Sequence, residues 1–225
     1  MLKTLQIRAF SAKKAAGNTK KYLQRQSNDE FAAKAREHNF RARSAFKLLE
    51  IDEKFKFLRP TSTVVDIGCA PGSWLQVVVS KCSQGYALGV DLQNVLPIHG
   101  AEILCQSDVT SSEVQSEIQN RLAGRKIDIV LSDMAPNPTG DNATDHLRLI
   151  ELCRTVFRLF ANEQKERNRL ELTRNGVFLC KIWDGAGRSE FQRELAERFS
   201  VVKTVKPTAC RDNSAELYLF CRHFK

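Results

Sequence analysis

The stretch that decides the fold is Asp66-Ile-Gly-Cys-Ala-Pro-Gly-Ser-Trp74, which follows a β-branched run and precedes an apolar helical pattern. Gly68 and Gly72 allow the backbone to turn tightly and to come close to a ligand. The loop contains neither the GxGxxG of a dinucleotide-binding loop nor the GxxxxGK[ST] of a phosphate-binding loop. A carboxylate at Asp66, just before the turn, would repel a pyrophosphate. The loop therefore indicates a cofactor held by something other than its phosphates.

Outward from this loop, apolar runs alternate with helical patterns along the whole chain. The predicted strands are 63–67, 86–90, 102–105, 127–131, 177–181, 201–206 and 216–221, and helices are predicted over 42–57 and 145–161. A capping box at Thr110-Ser-Ser-Glu113 predicts the start of a further helix. The alternation predicts an α/β, doubly wound fold with a mostly parallel seven-stranded sheet. The last two strands leave no room for a crossover helix, so we expect a C-terminal antiparallel hairpin.

Acidic residues at the ends of the predicted strands narrow the choice of cofactor. Ligands of such sheets bind at the carboxyl ends of the strands. Asp91 ends the second strand, where a carboxylate can accept hydrogen bonds from ribose hydroxyls, and Asp108 follows the third, where it can meet an adenine amino group. Asp66 suits an amino-acid moiety with a sulfonium charge. Together these positions predict S-adenosylmethionine as the cofactor.

The turn after the fourth strand, Ser132-Asp-Met-Ala-Pro-Asn137, bears on the methyl acceptor. It differs from the Asn/Asp-Pro-Pro-aromatic turn of enzymes that methylate base amines. Methylation of pyrimidine carbon needs a cysteine nucleophile, but Cys105 and Cys153 fall in a predicted strand and a predicted helix. The remaining class of methyl acceptor is an alcohol, such as a ribose 2′-hydroxyl.

Two lysines and two carboxylates are candidates for the chemistry: Lys47, Asp133, Lys181 and Glu216. The hydroxyl must lose its proton as it attacks, so a general base and alignment suffice. A free lysine is mostly protonated at neutral pH, but a like-charged neighbour or desolvation lowers its pKa. We assign Lys181 as the base, with Lys47 as its like-charged neighbour, and Asp133 as the group that orients it. Lys47 and Glu216 are assigned to position the ribose and its phosphate.

These residues resemble the motifs of the FtsJ/RrmJ-type ribosomal RNA 2′-O-ribose methyltransferases, and most closely those of the mitochondrial branch. The matching segments, in order, are RARSAFKL at 41–48, DIGCAPGSW at 66–74, SDMAPN at 132–137, FLCKIWDG around Lys181, Lys206-Pro207 and Glu216-Leu-Tyr218. The resemblance implies a Rossmann-like methyltransferase fold and a Lys47-Asp133-Lys181-Glu216 tetrad without a metal. It also implies cofactor contacts, which we assign to Asp66, Gly68, Ala70, Pro71, Gly72, Trp74, Asp91, Leu92, Asp108, Val109 and Asp133.

Length and charge divide the chain into three parts. Its 225 residues allow one good-sized domain or one domain with a tail, and its net charge is +9. Residues 1–28 contain seven Lys or Arg and no acid. This bias is typical of a mitochondrial transit peptide, and the alternative is a basic arm that contacts RNA phosphates. We predict a transit peptide at 1–17, a basic extension at 18–40, and a methyltransferase domain at 41–225 in the mitochondrial matrix.

The remaining composition concerns compartment and partners. Seven cysteines without a CxxC pair indicate free thiols in a reducing compartment, and no apolar run is long enough to span a membrane. Residues 34–59 carry eight basic side chains against four acids, a positive face that can hold RNA phosphates. We expect a monomer that acts on a uridine of mitochondrial large-subunit ribosomal RNA within a precursor particle. The alternatives are a tRNA ribose methyltransferase and a non-catalytic RNA-binding assembly factor.

Overall fold

The computed structural model describes residues 29–137, 139–161, 170–185, 187–211 and 214–225. The strands are β1 (Thr63–Ile67), β2 (Tyr86–Val90), β3 (Glu102–Leu104), β4 (Ile127–Ser132), β5 (Leu172–Trp183), β6 (Phe199–Val205) and β7 (Glu216–Phe224). The helices are α1 (Glu30–Glu37), α2 (Ser44–Phe55), α3 (Ser73–Lys81), α4 (Ser112–Leu122), α5 (Asn142–Ala161) and α6 (Arg188–Arg198). The predicted transit peptide and the first part of the basic extension lie outside the described residues.

All seven strands form one sheet in the order β3-β2-β1-β4-β5-β7-β6. The first five are parallel to one another, and β7 lies antiparallel between β5 and β6. The predicted mostly parallel seven-stranded sheet with an antiparallel C-terminal hairpin is therefore confirmed.

The sheet separates two apolar cores because successive side chains of a strand point to opposite faces. In β1, Val64 packs in the core beneath α2 and α3, whereas Val65 packs in the core beneath α4, α5 and α6. Phe178 and Leu179 of β5 divide in the same way. Every residue of β1 is buried. A central strand covered on both faces explains why its sequence is a continuous β-branched run rather than an alternation.

The connections leave β1 and β4 as neighbours, while the chain runs from β1 to β2 on one side and from β4 to β5 on the other. This is the topological switch point, where loops diverge and leave a crevice at the carboxyl ends of the strands. The loop after β1 and the turn after β4 both open into it. The fold therefore brings Asp66 and Asp133 to the same edge.

Some local expectations were wrong. The N-cap of α4 is Ser111, which accepts a hydrogen bond from the backbone N–H of Val114. The helix thus begins one residue later than predicted, and the apolar Val114 at N3 cannot complete a capping box. The fifth and seventh strands are longer than the apolar runs that predicted them. Hydrogen bonding to neighbouring strands extends both beyond those runs.

Helix α1 is part of the fold although it lies in the predicted basic extension. Its N-cap Asp29 accepts a hydrogen bond from Ala32 N and forms an ion pair with Arg43. The rings of Phe31 and Phe46 pack with centroids 5.8 Å apart. The end of the extension is thereby fixed against α2.

The described residues also bear on disulfide bonding, metal binding and membrane insertion. The seven cysteines are free of disulfides. Among the described residues, no group of three or more His, Cys, Asp or Glu side chains could hold a metal ion. No helix in the described ranges is long and apolar enough to cross a membrane.

Candidate active site

The pairing of β5 with β7 assembles one half of the site. Lys181 lies opposite Tyr218, and Trp183 lies opposite Glu216. Because side chains alternate along a strand, Lys181, Tyr218 and Glu216 share one face of the sheet. This antiparallel pairing brings together a lysine and a glutamate that are far apart in sequence.

Helix α2 adds Lys47 to the same face. Its ammonium donates a hydrogen bond to Oε1 of Glu216 and lies 5.9 Å from the centroid of the Tyr218 ring. The side chains of Lys47 and Glu216 are 11% and 15% exposed. Burial works to raise the pKa of Glu216, but the charge and hydrogen bond of Lys47, with help from Tyr218 and Lys181, hold it below its usual value. Glu216 is therefore a carboxylate, and the pair is a charge-assisted contact shielded from water.

The second lysine pairs with the other carboxylate. Lys181 Nζ donates to the backbone carbonyl of Asp133 at 2.7 Å and lies 3.2 Å from its Oδ1. Two contacts from one residue fix the position of the amine. Each lysine thus contacts a carboxylate. The sequence interpretation assigned Asp133 to orient Lys181 and expected Lys47 beside Lys181, whereas Lys47 pairs with Glu216.

Tyr218 connects the two pairs. Its hydroxyl lies 2.9 Å from Asp133 Oδ1 and 2.6 Å from Glu216 Oε1, and the residue is fully buried. Burial first, and then the charges of Asp133 and Glu216, raise the pKa of the phenol far above its ordinary value. The phenol is thus neutral, and its single O–H lies within hydrogen-bonding distance of both carboxylates. The sequence interpretation assigned Tyr218 no role in the site; its position two residues after Glu216 on the same strand face was the available signal.

The other half of the site begins with Asp66. This residue is fully buried at the carboxyl end of β1, and neither of its carboxylate oxygens has a hydrogen-bond partner among the described residues. Burial, and then the charges of Asp133 and Asp91, raise the pKa of Asp66 well above its usual value. An unpartnered buried carboxyl is costly. The ammonium group of a bound ligand would supply the hydrogen-bond donor that the Asp66 carboxyl lacks.

The two loop glycines make room for side chains of this chain. Gly68 has φ +77°, and a Cβ there would collide with Met134. Gly72 has φ +105°, and a Cβ there would lie 2.7 Å from both Arg41 Nη1 and Ile98 Cδ1. Glycine is therefore required at both positions by backbone conformation and by close protein contacts.

Asp91 and Asp108 end up in different environments. Asp91 is 8% exposed; its Oδ2 accepts from Ala70 N at 2.8 Å and its Oδ1 from Gln93 N at 2.7 Å. Asp108 is exposed, and its Oδ1 accepts from the backbone N–H and the hydroxyl of Thr110, which lower the pKa of Asp108. Asp91 thus holds the loop after β1, while Asp108 keeps one oxygen uncommitted among the described contacts.

The remaining assigned cofactor contacts differ in accessibility. Leu92 is 68% exposed, whereas Val109 and Trp74 are buried. The indole N–H of Trp74 donates to Ser44 O at 2.8 Å, and its ring lies 5.8 Å from that of Tyr218. The side chain of Trp74 is therefore part of the core that joins α2 to α3, and stacking on an adenine is not supported. Ala70 and Pro71 are joined by a cis peptide bond in the loop itself.

The basic face proposed for residues 34–59 divides into two groups. Arg41, Arg43 and Lys47 bond to other parts of the protein. The exposed members are Lys34, Arg36, Lys54, Lys56 and Arg59. Three of the eight basic groups therefore bond to carbonyl and carboxylate oxygens of other segments, and the other five are exposed.

Comparison with known proteins places this geometry in a family. Residues 40–224 match the model of FtsJ-like methyltransferases. The chain is 74% identical to a Caenorhabditis elegans protein named "rRNA methyltransferase 2, mitochondrial", over 96% of this chain and 99% of the relative. It is 38% identical to "Ribosomal RNA large subunit methyltransferase E" of Parvibaculum lavamentivorans, over 99% of this chain and 88% of the relative.

A solved structure agrees with the sequence comparisons. A crystal structure described as a ribosomal RNA methyltransferase from Plasmodium falciparum superimposes with a TM-score of 0.70 at 28% identity, covering 82% of this chain and 98% of that one. The matched family segment includes all four residues of the lysine–carboxylate network and the loop after β1. Fold, site and sequence agree that the chain belongs to the FtsJ-like methyltransferase family.

Proposed function

We propose that this protein transfers a methyl group from S-adenosylmethionine to the ribose 2′-hydroxyl of a uridine in mitochondrial large-subunit ribosomal RNA. The observation that carries the proposal is the buried network Lys47–Glu216–Tyr218–Asp133–Lys181, which ends in a lysine amine held by two oxygen atoms of Asp133. Such a network can hold a hydroxyl and accept its proton. It offers no covalent nucleophile, and attack by an oxygen on a methyl carbon needs none.

The residues of the other half fit the proposed cofactor. Asp66 would hold the amino group of the methionine moiety and Asp91 would bind the ribose. Asp108, which keeps one oxygen uncommitted among the described contacts, would meet the adenine amine. When bound, S-adenosylmethionine would supply an electrophilic methyl group and a neutral thioether as leaving group.

Lys181 acts as the proton acceptor in this proposal. To act in this way, Nζ first releases its own proton to solvent; it then takes the proton of the 2′-hydroxyl, and Asp133 stabilises the resulting ammonium through its backbone carbonyl and Oδ1. Lys47, held by Glu216, positions the neighbouring phosphate. Alignment by these groups supplies the rest of the rate enhancement.

The substrate and the compartment are proposed from the relatives. The Caenorhabditis elegans relative is named a mitochondrial rRNA methyltransferase, and the bacterial relatives are named for the large-subunit RNA. The basic segment 1–28 is consistent with import into the matrix. The five exposed basic side chains near α2 supply a surface for RNA phosphates without sequence readout. We propose that target choice rests on the shape of a large-subunit precursor particle.

The test is a map of ribose methylation in mitochondrial and cytosolic RNA from cells with and without the protein. We expect one uridine of the mitochondrial large-subunit RNA to lose its methyl group and to regain it when the wild-type protein is restored. Restoring a Lys181→Ala variant should leave the site unmethylated. An unchanged ribosomal map would contradict the substrate, and a missing methyl group in tRNA would favour the tRNA alternative. Full methylation with Lys181→Ala would contradict the mechanism.

A further inference from the structure

Arg41 makes an unusual set of contacts between two loops at the cofactor half of the site. Its Nη1 donates to Pro71 O at 3.0 Å and to Leu96 O at 2.8 Å, and its Nη2 donates to Pro97 O at 2.9 Å. Pro71 belongs to the loop after β1, and the other two carbonyls belong to the loop after β2. One guanidinium therefore joins the loop that carries Gly72 to the segment that follows Asp91.

The same two loops are also joined at their other end. Asp91 accepts hydrogen bonds from Ala70 N in the first loop and from Gln93 N in the second. Segment 92–98 is thus tied to the loop after β1 by a carboxylate at its beginning and by a guanidinium at its end. Between the two ties it presents Leu92 and Leu96, which are 68% and 75% exposed. In the proposed cofactor site this segment would border the ribose and adenine, because it begins next to Asp91.

The local structure fixes Arg41 for this task. Its backbone N–H donates to Gln76 Oε1 at 2.8 Å, and Gln76 Nε2 donates to Asn39 O at 2.9 Å, so α3 holds the segment that leads to α2. A guanidinium has several donors in one plane and can reach three carbonyls, whereas a lysine ammonium is a single point on a flexible stem. The approach of the Arg41 guanidinium to the loop after β1 depends on Gly72, because a Cβ at residue 72 would lie 2.7 Å from Arg41 Nη1.

We infer that Arg41 is a positioning residue for the cofactor and not a contact for RNA phosphates. Both terminal nitrogens of Arg41 donate to backbone carbonyls of the loops after β1 and β2. The dipoles of these carbonyls stabilise its positive charge. It holds segment 92–98 and the loop after β1 at the spacing that adenosine needs. This inference rests on the proposed use of S-adenosylmethionine and assigns a function to a residue that the sequence placed on the RNA-binding face.

The test compares Arg41→Ala and Arg41→Lys with Arg36→Ala in the full chain. Arg36 is exposed on α1 and provides the same loss of charge close by. S-adenosylhomocysteine binding is measured by titration calorimetry without RNA, and binding of a labelled single-stranded oligouridine is measured at several salt concentrations. We expect Arg41→Ala to weaken S-adenosylhomocysteine binding about tenfold, Arg41→Lys to weaken it less, and Arg36→Ala to leave it unchanged.

The RNA measurement separates the two roles. A residue that contacts a phosphate lowers the slope of log affinity against log salt by about one when it is removed. We expect the slope to be unchanged in both Arg41 variants. A reduced slope together with wild-type S-adenosylhomocysteine affinity would overturn the inference. If Arg41→Ala does not fold, Arg41→Gln removes the charge but keeps a long side chain, and it decides the question by the same two readouts.

Failure of the proposed function would look different. Wild-type protein that does not bind S-adenosylhomocysteine would contradict the cofactor assignment and the inference with it. Wild-type protein that binds it, with both Arg41 variants binding equally well, would contradict the inference alone.

Discussion

The two halves of the site differ in how completely they are satisfied by the protein. In the acceptor half, Lys47, Glu216, Tyr218, Asp133 and Lys181 are joined by hydrogen bonds and ion pairs. In the cofactor half, the buried carboxyl of Asp66 has no partner among the described residues. One half is assembled by folding, and the other is left for a ligand to complete.

This difference follows from what each half must do. A general base works only if its amine is held at a defined position, so the acceptor half gains from contacts made before the substrate arrives. A cofactor site gains affinity when the ligand satisfies a group that the protein leaves unsatisfied, at a cost in stability that the fold bears in its absence. The variants below test whether the two halves can be disrupted separately.

The largest expected effect is on chemistry alone. Lys181→Ala removes the proton acceptor, so we expect kcat for methyl transfer to fall by about 10² to 10⁴, while S-adenosylhomocysteine affinity stays within about twofold of wild type. Activity is measured with labelled methyl donor and affinity by calorimetry.

Two further variants control this experiment. Lys203→Ala removes an exposed lysine of β6 and should leave both quantities unchanged. Lys181→Arg keeps a positive charge beside Asp133, and it should be inactive although the pair is preserved. Wild-type rates in Lys181→Ala would show that Lys181 is not the base.

A substitution in the other half should have the opposite effect. Asp66→Asn removes the carboxylate proposed to hold the cofactor's amino group, and a hydrogen bond to a charged group contributes about 1.5–3 kcal/mol, so binding should weaken about 10- to 100-fold. Because Asp66 is unpartnered in the protein, the thermal midpoint without ligand should not fall. Titration calorimetry and thermal unfolding give the two values. A lower midpoint with unchanged affinity would mean that Asp66 is a structural residue.

Tyr218 tests whether the acceptor half works as one unit. Tyr218→Phe removes the hydroxyl shared by Asp133 and Glu216, so we expect kcat to fall about tenfold and stability to fall by about 1–3 kcal/mol, with KM for the methyl donor unchanged. Rescue is not expected at higher cofactor concentration.

The matched control for this hydroxyl is Tyr86→Phe. Tyr86 begins β2, at the end of the strand remote from the site, and its removal should leave kcat unchanged. If Tyr218→Phe lowers stability but not kcat, the network does not depend on the bridge.

The sequence predicted the sheet because its signal is local. Continuous apolar runs such as Thr63–Ile67 mark buried strands, and acids such as Asp66 mark their carboxyl ends. Family motifs then identified Lys47, Asp133, Lys181 and Glu216. These four residues lie on α2, in the turn after β4, on β5 and on β7, and the structure shows that pairing of β5 with β7 brings Lys181 and Glu216 to one face.

The side-chain roles that the sequence could not determine are those that depend on contacts with residues distant in sequence. The role of Tyr218 depends on two carboxylates, one in the turn after β4 and one on β7. The role of Arg41 depends on three backbone carbonyls from two loops, which the sequence alone does not bring together. The indole of Trp74 could pack in the core or against a ligand, and its hydrogen bond to Ser44 O shows that it packs in the core. Side-chain direction, rather than residue type, distinguishes these cases.

The most gradual expected effect is the pH dependence of stability caused by Asp66. Burial, followed by the charges of Asp133 and Asp91, raises the pKa of Asp66 in the folded protein well above its value in the unfolded chain. Between those two values the folded state holds a proton that the unfolded state has lost, so this residue makes stability fall as pH rises, by at most about 1.4 kcal/mol per pH unit. Urea unfolding without cofactor, from pH 5 upward, should show wild type losing stability relative to Asp66→Asn until Asp66 ionises, after which the difference is constant. Saturating S-adenosylhomocysteine should reduce that loss, because its ammonium stabilises the ionised carboxylate, and its binding should release a proton within this range. Parallel stability curves for the two proteins at every pH would show that Asp66 is already satisfied, and the contrast between the two halves would then be lost.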